Sequence, residues 1–230
     1  AASTILSAYP KRPYVALTGP SGSGKTTTAM RLKAYLENLG VPVCLLSMDN
    51  FFLSLADRPK ELTDWESPLC VNWAELCRCM EALSNGETAQ VPWYDFAGGK
   101  TGGYRPVQGS REAIILNPII FDRIRDRATG IYVAPRTRII TGDDRIVRPE
   151  QIRVARRMIR DYRGRGNSLR TTVERAQDVD RGEVQYIAPN KPNASVHIDT
   201  FHDYELCILA KYLRELPEFA DALDDAFVEA

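Results

Sequence analysis

Long apolar runs are missing from this sequence of 230 residues. The longest, Ala113–Leu116 with Ile119–Phe121 close behind, are far shorter than the roughly 20 residues that a membrane-spanning helix needs. The first ten residues also lack the basic and apolar regions in series that mark a secretory signal. We therefore expect a cytoplasmic protein that does not have a membrane as its partner.

Histidine and cysteine are scarce, and neither is spaced to bind a metal ion. The two histidines, His197 and His202, are five residues apart and would not share one helix face. The five cysteines match no zinc spacing, and their odd number fits reduced thiols in the cytosol. Cys77 shares a predicted helix face with Leu76 and Met80, so we expect Cys77 to be buried in the core.

A net charge of one sign is absent as well. The 30 basic and 30 acidic residues give a formal net charge of zero, so no overall field attracts the chain to nucleic acid or to a membrane surface. Apolar residues make up 44% of the sequence and charged residues 26%, which is ordinary for a globular protein. The length allows one large core, and we expect a single domain over residues 1–230.

The order of the predicted elements favours an α/β fold with a mostly parallel sheet and flanking helices. Tyr14–Leu17 is a short apolar strand, a helix pattern follows from Lys25 to Leu39, and Val41–Met48 is a second buried strand. Strand, helix and strand in this order form a βαβ unit over residues 12–49, in which the two strands are parallel. Further short strands are predicted at Ala113–Leu116, Ile131–Ala134 and Ser195–Asp199.

Residues 19–26 are Gly-Pro-Ser-Gly-Ser-Gly-Lys-Thr and match the P-loop pattern, with a strand before it and a helix after it. Glycines let backbone N–H groups turn inward around phosphate oxygens, and the helix directs its positive end at the same anion. Lys25 would reach the β- and γ-phosphates, and the Thr26 hydroxyl would bind Mg²⁺. The sequence thus predicts a P-loop NTPase fold that binds ATP and Mg²⁺ through Gly19, Ser21, Gly22, Ser23, Gly24, Lys25, Thr26 and Thr27.

Asp49 follows the second predicted strand, at the edge of the sheet where open α/β folds bind their ligands. A carboxylate there could accept the proton of an attacking hydroxyl group, or help to hold Mg²⁺. It could equally be an ordinary turn residue. On the first interpretation Asp49 and Lys25 are the catalytic residues of a kinase, and Asp49 also contacts the acceptor and the metal.

Arginine replaces lysine completely between Arg145 and Arg181, where eleven arginines accompany five acidic residues. The planar guanidinium group suits phosphate oxygens and can stabilise a phosphoryl transition state. Pro149 begins a helix that runs to about Arg163, and the glycines after it indicate a flexible arginine-bearing loop. We predict that residues 149–181 form an arginine-rich helix and a lid over the nucleotide. An RNA-binding surface is the alternative, but no nucleic-acid module is visible.

Together these segments resemble the uridine kinase/phosphoribulokinase family of P-loop kinases, from Tyr14 to about Leu213. Besides the P-loop, the resemblance rests on Leu46-Ser-Met-Asp-Asn-Phe-Phe52, on Val91-Pro-Trp-Tyr-Asp-Phe96 and on Arg153-x-x-Arg-Arg-x-x-Arg-Asp161. The second segment and Lys100–Val107 flank a glycine-rich turn and could pair as a β-hairpin. We therefore expect residues 50–110 to be an insertion that carries the acceptor site.

The resemblance implies a role for each matching side chain. It makes Asp49 the general base on the acceptor hydroxyl group. Phe52 and Tyr94 would line the acceptor pocket, where their rings could stack on a pyrimidine, although Tyr94 could also serve only to pack the hairpin. Arg153 would reach the acceptor or a phosphate. Three arginines would reach ATP from the lid, namely Arg160, Arg163 and Arg165.

The sequence departs from the family pattern after the third strand. The family has a Glu-Gly pair there, whose glutamate helps to organise Mg²⁺, whereas Ala113–Leu116 leads directly into Asn117-Pro118. Either the pair is lost, which would impair catalysis, or several residues near Ile115 and Leu116 are missing from the sequence. We favour the second hypothesis, because a strand needs a turn before its helix.

A second departure concerns the acceptor. Relatives often carry an acidic residue at the position of Leu69, where it suits ribose hydroxyl groups. Leucine cannot accept a hydrogen bond, so either Glu66 replaces that residue or the acceptor is not a nucleoside. We expect an ATP-dependent kinase for the 5′-hydroxyl group of uridine or cytidine.

Two alternatives to that expectation stay open. The same chemistry could act on a sugar phosphate, pantothenate or glycerate. The chain could be a nucleotide-binding regulatory protein without turnover. It could also form a homo-oligomer, which the sequence neither requires nor excludes.

Overall fold

The structure is a computed structural model that describes residues 1–9, 11–60, 62, 67–109, 113–116, 124–140, 142, 146–216 and 219. The strands within these segments are β1 (Tyr14–Thr18), β2 (Val43–Leu46), β3 (Thr88–Asp95), β4 (Lys100–Gln108), β5 (Ala113–Leu116), β6 (Ala128–Ala134), β7 (Ile139–Ile140), β8 (Ile146–Val147) and β9 (Val196–Asp199). The α-helices of the same segments are α1 (Ala2–Ala8), α2 (Lys25–Asn38), α3 (Trp73–Ser84), α4 (Pro149–Arg165), α5 (Leu169–Glu174), α6 (Ala176–Gly182) and α7 (Glu205–Arg214).

A parallel sheet forms the centre of the described part of the chain. Its five strands follow the order β2-β5-β1-β6-β9, and every neighbouring pair is parallel. Strand β1 is buried along its whole length because helices cover both of its faces. The predicted α/β fold with a parallel sheet flanked by helices is therefore confirmed. The order also brings the carboxyl ends of β1, β2 and β9 to one edge of the sheet.

The two faces of β1 pack against two different helices. Tyr14 and Ala16 belong to a core cluster that includes the apolar face of α3. Val15 and Leu17 point the other way and pack with Leu36 of α2, which is fully buried. Burial of one such side chain contributes about 1.5–3 kcal/mol to folding. The helix that follows the phosphate-binding segment is thus fixed against the sheet by apolar contacts on its inner face.

Helix α3 begins at the cap residue Asn72, whose side chain accepts a hydrogen bond from the Glu75 N–H group. Its buried residues are Leu76, Cys79, Met80 and Leu83. The prediction that Cys77 is a core residue was wrong, because Cys77 is exposed and Cys79 is buried. The buried stripe is centred between positions 76, 79, 80 and 83, and Cys77 lies on its solvent side.

The predicted hairpin is present as the antiparallel pair β3–β4, with Val91 opposite Arg105 and Asp95 opposite Lys100. Strand β3 alternates exposed and buried residues from Thr88 to Val91, because one of its faces packs on α3, and Pro92 is buried as well. The indole ring of Trp93 lies against Gly102, where a Cβ atom would come 2.2 Å from the ring. A side chain larger than glycine at position 102 would therefore displace the ring.

The third strand of the family pattern is β5, which lies between β2 and β1. Ile115 and Leu116 pair with the consecutive residues Val15 and Ala16. Asn117 and Pro118 lie outside the described residues. The hypothesis of missing residues at this point therefore stays a prediction. Among the described residues, no helix has the length and apolar character needed to cross a membrane.

Helix α4 carries most of the arginine-rich region. Pro149 occupies its first turn, and it ends at Gly166, whose left-handed backbone (φ 68°) lets its N–H group bond the Asp161 carbonyl. The expected loop from Arg163 to Gly166 was wrong in one respect, since Arg163 and Arg165 belong to the last turn of the helix. Two short helices, α5 and α6, follow α4.

Candidate active site

A cavity of about 1000 Å³ lies at the carboxyl edge of the parallel sheet. Residues from the ends of β1, β2 and β9 line its floor, and α4 lines one side. The wall includes most of the side chains and glycines that the sequence predicted for the site. These are Gly19, Ser21, Gly22, Ser23, Gly24, Lys25, Thr26, Thr27, Asp49, Phe52, Arg160 and Arg165.

The phosphate-binding loop leaves β1 at Thr18 and enters α2 at Lys25. Gly19 has a positive φ of 153°, and a Cβ atom there would come 2.0 Å from the Val133 carbonyl oxygen, so only glycine fits. Gly24 is left-handed (φ 87°) and is the residue from which α2 starts. The loop therefore runs close against β6 and then turns its helix toward the cavity.

Lys25 lies across this loop. Its ammonium group donates hydrogen bonds to the carbonyl oxygens of Gly19 (2.7 Å) and Pro20 (2.8 Å). A lysine held in this way is a positive charge at the start of α2, where the helix dipole also favours anions. A phosphate oxygen entering the loop can replace the two carbonyl groups as partner of the ammonium group.

Ser23 offers a further donor inside the loop. It is 1% exposed, and its hydroxyl group has no hydrogen-bond partner among the described residues. A buried hydroxyl without a partner costs free energy unless a ligand satisfies it. Together with Lys25 and the amino end of α2, this hydroxyl fits a polyphosphate. The donor set of the loop is therefore suited to the phosphates of ATP.

Oxygen atoms for Mg²⁺ come from two sides of the cavity. Thr26 is exposed at the first turn of α2, and Asp49 faces the cavity from the end of β2. Within the described segments no group of three or more histidine, cysteine, aspartate or glutamate side chains could hold a metal ion. These two oxygens fit Mg²⁺ in the way usual at nucleotide sites, where substrate phosphates and water supply the other ligands.

Asp49 is positioned by its neighbours in the chain. It belongs to a 3₁₀ turn, Met48–Phe51, which comes directly after β2. Met48 and Phe51 are buried in the core and fix the turn from both sides. The carboxylate between them therefore stays at the mouth of the cavity, as the sequence predicted.

A cluster of three aromatic rings lies on the hairpin side of the cavity. The ring of Phe52 meets Tyr94 and Phe96 edge to face, with centroid distances of 5.7 and 6.3 Å. Phe52 and Phe96 line the cavity, but Tyr94 does not. Tyr94 is buried behind Phe52, where its hydroxyl group accepts a hydrogen bond from Arg58 (3.4 Å) and burial raises its pKa. Tyr94 therefore does not line this cavity, and its predicted contact with the acceptor stays a prediction.

Two of the predicted arginines also lie away from the cavity wall. The side chain of Arg153 is 5% exposed and forms ion pairs with Glu183 at 2.7 Å and with Asp180 at 3.8 Å. Arg163 lies over the ring of Tyr212 in α7, 4.4 Å from its centroid. Both side chains thus have partners within the protein, and their predicted contacts with ATP or the acceptor stay predictions.

Arg160 and Arg165 remain at the cavity. The buried carboxylate of Asp161 holds both, at 2.8 Å from Arg160 and 3.5 Å from Arg165. The guanidinium group of Arg165 also lies 4.4 Å from the centroid of the Phe96 ring. The end of α4 and the hairpin thus meet above the cavity.

The cavity wall also contains residues that the sequence analysis did not assign to it. The arginine pattern already contained Arg156 and Arg157, and Phe96 was part of the quoted hairpin motif. Asp199 follows the same rule as Asp49, since it ends a parallel strand. The additional wall residues include Phe96, Arg156, Arg157, Arg175, Asp199, Thr200, His202 and Glu205.

The carboxylate of Asp199 is tied to the loops around it. Burial alone would raise its pKa, but hydrogen bonds from the N–H groups of Phe201 and Arg136 and from the Thr137 hydroxyl hold that pKa below its usual value. Asp199 therefore carries a negative charge that fixes the loops at this end of the cavity.

Comparison with known proteins identifies a matching family and several similar proteins. The model of the phosphoribulokinase/uridine kinase family matches residues 14–206. The chain is 27% identical over 188 residues to the uridine kinase of Halobacterium salinarum, with 80% of this chain and 78% of that protein covered. Other uridine kinases match similarly, including that of Brevibacillus brevis at 28% identity over 191 residues, covering 80% and 83%.

Among solved structures, one similar fold belongs to a protein of Silicibacter sp. TM1040 assigned as a fructose transport system kinase. The two share a TM-score of 0.63 and 23% identity, over 86% of this chain and 96% of that one. At these identities the likeness shows the fold, an α/β P-loop kinase fold.

Proposed function

This chain belongs to the phosphoribulokinase/uridine kinase family and is a small-molecule kinase, and we propose that it phosphorylates the 5′-hydroxyl group of uridine or cytidine. The observation that carries the proposal is that Asp49 and the phosphate-binding loop face the same cavity from neighbouring parts of the sheet edge. A base and a phosphoryl donor must meet across such a space for direct transfer.

We propose a role for each group in this transfer. The Asp49 carboxylate accepts the proton of the acceptor hydroxyl group as that oxygen attacks the γ-phosphorus atom. Lys25 exchanges its carbonyl partners for phosphate oxygens, and Arg160 and Arg165 add positive charge from the side of α4. Mg²⁺, when held by Thr26 and Asp49, neutralises charge on the phosphates.

The acceptor would enter between the end of β2 and the hairpin. Phe52 and Phe96 line the cavity there, and a flat pyrimidine could contact these rings. The uridine kinases among the relatives support a nucleoside as the acceptor. Residues 50–110 would then be the acceptor-side insertion, and 149–181 the arginine-rich helix and lid of a single cytoplasmic kinase domain.

A different hydroxyl acceptor is the second candidate, and Leu69 favours it. Leu69 is 63% exposed and is not part of the cavity wall, so it cannot receive a ribose hydroxyl group. Glu66, the acidic residue considered as its replacement, lies outside the described residues. A sugar phosphate, pantothenate or glycerate would not need that contact.

The test is ADP release with Mg-ATP across a panel of hydroxyl acceptors. We expect release that depends on uridine or cytidine, and we expect Asp49→Asn to lower kcat by about 10²–10⁴-fold because the base is lost. Asp57→Asn is the matched control, since Asp57 is exposed and does not line the cavity. Its kcat should equal that of the native protein.

Each other outcome has a definite meaning. Release driven by another acceptor keeps the kinase chemistry and rejects the nucleoside. Equal loss of activity in Asp49→Asn and Asp57→Asn would contradict the role of Asp49 as a base. ATP binding without release on any acceptor would favour a regulatory protein without turnover.

A further inference from the structure

The guanidinium group of Arg156 in α4 is fully hydrogen-bonded within the protein. An arginine side chain has five N–H donors. Nε and Nη2 donate to the two carboxylate oxygens of Glu205, and Nη2 also donates to the Thr200 carbonyl oxygen at 2.7 Å. Nη1 donates to the Gly22 carbonyl oxygen at 3.1 Å and to the Thr200 hydroxyl at 3.3 Å. All five donors therefore have protein partners.

These partners connect three separate parts of the chain. Gly22 belongs to the phosphate-binding loop, Thr200 follows β9, and Glu205 is the first residue of α7. The Thr200 hydroxyl group adds a second contact with the loop, because it donates a hydrogen bond to the Ser23 carbonyl oxygen at 2.7 Å. Arg156 and Glu205 are both largely buried, with side chains 16% and 12% exposed. We call Arg156, Thr200 and Glu205 the loop bracket.

The bracket fixes the rotation of two peptide units in the loop. In a planar trans peptide the carbonyl group and the N–H group point in opposite directions. Arg156 holds the Gly22 carbonyl, and the Ser23 N–H on the other side of that peptide donates to Pro20 at 3.2 Å. Thr200 holds the Ser23 carbonyl, so the Gly24 N–H points away from Thr200. Peptide rotation decides which N–H groups of such a loop can face an anion.

The loop also rests directly on α4. A Cβ atom at Gly22 would come 2.7 Å from the Arg153 carbonyl oxygen and 3.2 Å from the Arg157 side chain. Any shift of α4 toward the loop would therefore displace the Gly22 backbone, whose φ of 76° few other residues adopt. The ion pair with Glu205 holds this turn of α4 against α7 and so sets the distance between helix and loop.

We propose that the loop bracket positions the phosphate-binding loop for nucleotide, and that Glu205 is a positioning residue for this step. Arg156 acts through the carbonyl groups of the loop and not as a ligand of phosphate, because its donors are already engaged. The inference rests on nucleotide binding by the loop, as proposed above, and is independent of which acceptor is phosphorylated.

The test is the dissociation constant of ADP, measured by calorimetry on the full chain without any acceptor. We expect Glu205→Gln to raise this constant about tenfold, because a charged hydrogen bond is worth somewhat more than that factor. The KM for ATP should rise by a similar factor, while the KM for the acceptor stays unchanged. Glu37→Gln is the matched control, since Glu37 forms an exposed pair with Lys33 on α2 and does not line the cavity.

A double-mutant cycle separates positioning from direct phosphate contact. If the bracket acts as a unit, Arg156→Lys combined with Glu205→Gln weakens ADP binding no more than Arg156→Lys alone. If Arg156→Lys weakens ADP binding and Glu205→Gln leaves it unchanged in a folded protein, Arg156 contacts phosphate itself and the proposal is overturned.

A second variant keeps the test decisive if Glu205→Gln does not fold. Thr200→Val removes only the hydroxyl group that holds the Ser23 carbonyl, and we expect it to raise the ADP dissociation constant about threefold to tenfold. An unchanged constant for a folded Thr200→Val protein would overturn the proposal. A chain that binds ADP normally but phosphorylates no acceptor would contradict the proposed function and leave the bracket intact.

Discussion

The first and last turns of α4 carry the same residue type at similar spacing, yet they differ in what surrounds them. In the first turns the side chain of Arg153 is buried and paired with Glu183. Every N–H donor of Arg156 there has a hydrogen-bond partner within the protein. In the last turn Arg163 is 48% exposed over a tyrosine ring, and Arg165 lies on Phe96 at the edge of the cavity. The first turns of α4 are thus held by buried ion pairs, whereas the last turn contacts the hairpin at the edge of the cavity.

Acidic residues from distant parts of the chain produce this difference. Glu183 and Glu205 pair with arginines in the first turns of α4, where packing excludes water. Removal of one partner there would leave an uncompensated buried charge. The last turn faces aromatic rings and solvent, where an arginine contributes less to stability. Burial thus separates the arginines held in buried ion pairs from those with more exposed partners.

The largest expected effect is the loss of stability that follows when the buried ion pair of Arg153 and Glu183 is broken. Arg153→Met leaves Glu183 buried without its partner, so we expect the free energy of unfolding to fall by about 3–5 kcal/mol. Denaturant-induced unfolding measures this change. The matched variant in the last turn is Arg163→Met. It should lower the free energy of unfolding by no more than about 1 kcal/mol, because the ion pair of Arg163 with Glu215 is exposed. Equal losses from the two variants would remove the distinction between the ends of the helix.

The next effect is a pH dependence of stability that comes from the same pair. Burial raises the pKa of Glu183 above its ordinary 4.5, although the Arg153 guanidinium group opposes this. The native state then holds the proton more tightly than the unfolded state. Glu183 therefore contributes stability that is fully present below about pH 4.5 and is lost as the pH rises through its folded pKa.

Unfolding of the native protein and of Glu183→Gln, compared from about pH 4 to pH 8, measures this dependence. The difference in free energy of unfolding, native minus variant, should decrease as the pH rises. A difference that increases over the same interval would mean that the ion pair with Arg153 outweighs burial.

The smallest expected effect concerns the contact between the last turn and the hairpin. The guanidinium group of Arg165 and the ring of Phe96 should be coupled by about 0.5–1 kcal/mol, which is usual for an exposed cation–π pair. A double-mutant cycle with Phe96→Leu and Arg165→Met, read in kcat/KM, gives this coupling. Additive effects would show that α4 and the hairpin act independently during turnover.

Most of the fold followed from the sequence because local patterns specify it. The apolar strand, the glycine-rich loop and the amphipathic helix of 12–49 each have a characteristic pattern, and so does the hairpin of β3 and β4. The strand order could not be derived in this way, since a parallel sheet is assembled by contacts between distant segments. The misplaced Cys77 shows a similar limit, because the edge of a helix face depends on what packs against it.

In the candidate site, too, local patterns placed some residues correctly, and contacts between distant segments placed the others. Lys25, Asp49 and Phe52 lie where their motifs predicted, because each is fixed by its own strand end or turn. Arg153 and Tyr94 were predicted at the site and lie behind it, and Arg156 gained partners that no local pattern indicates. Their roles depend on side chains far away in the sequence.

By itself the sequence determined the phosphate-binding βαβ unit, the strand-end carboxylate and the concentration of arginine on one helix. These are set by short-range spacing, which backbone geometry converts directly into structure. Only the tertiary structure decided which arginines are buried in ion pairs and which reach the cavity. The reason is that an arginine is identical in every motif, whereas its burial and its acidic partners exist only after distant segments have packed together.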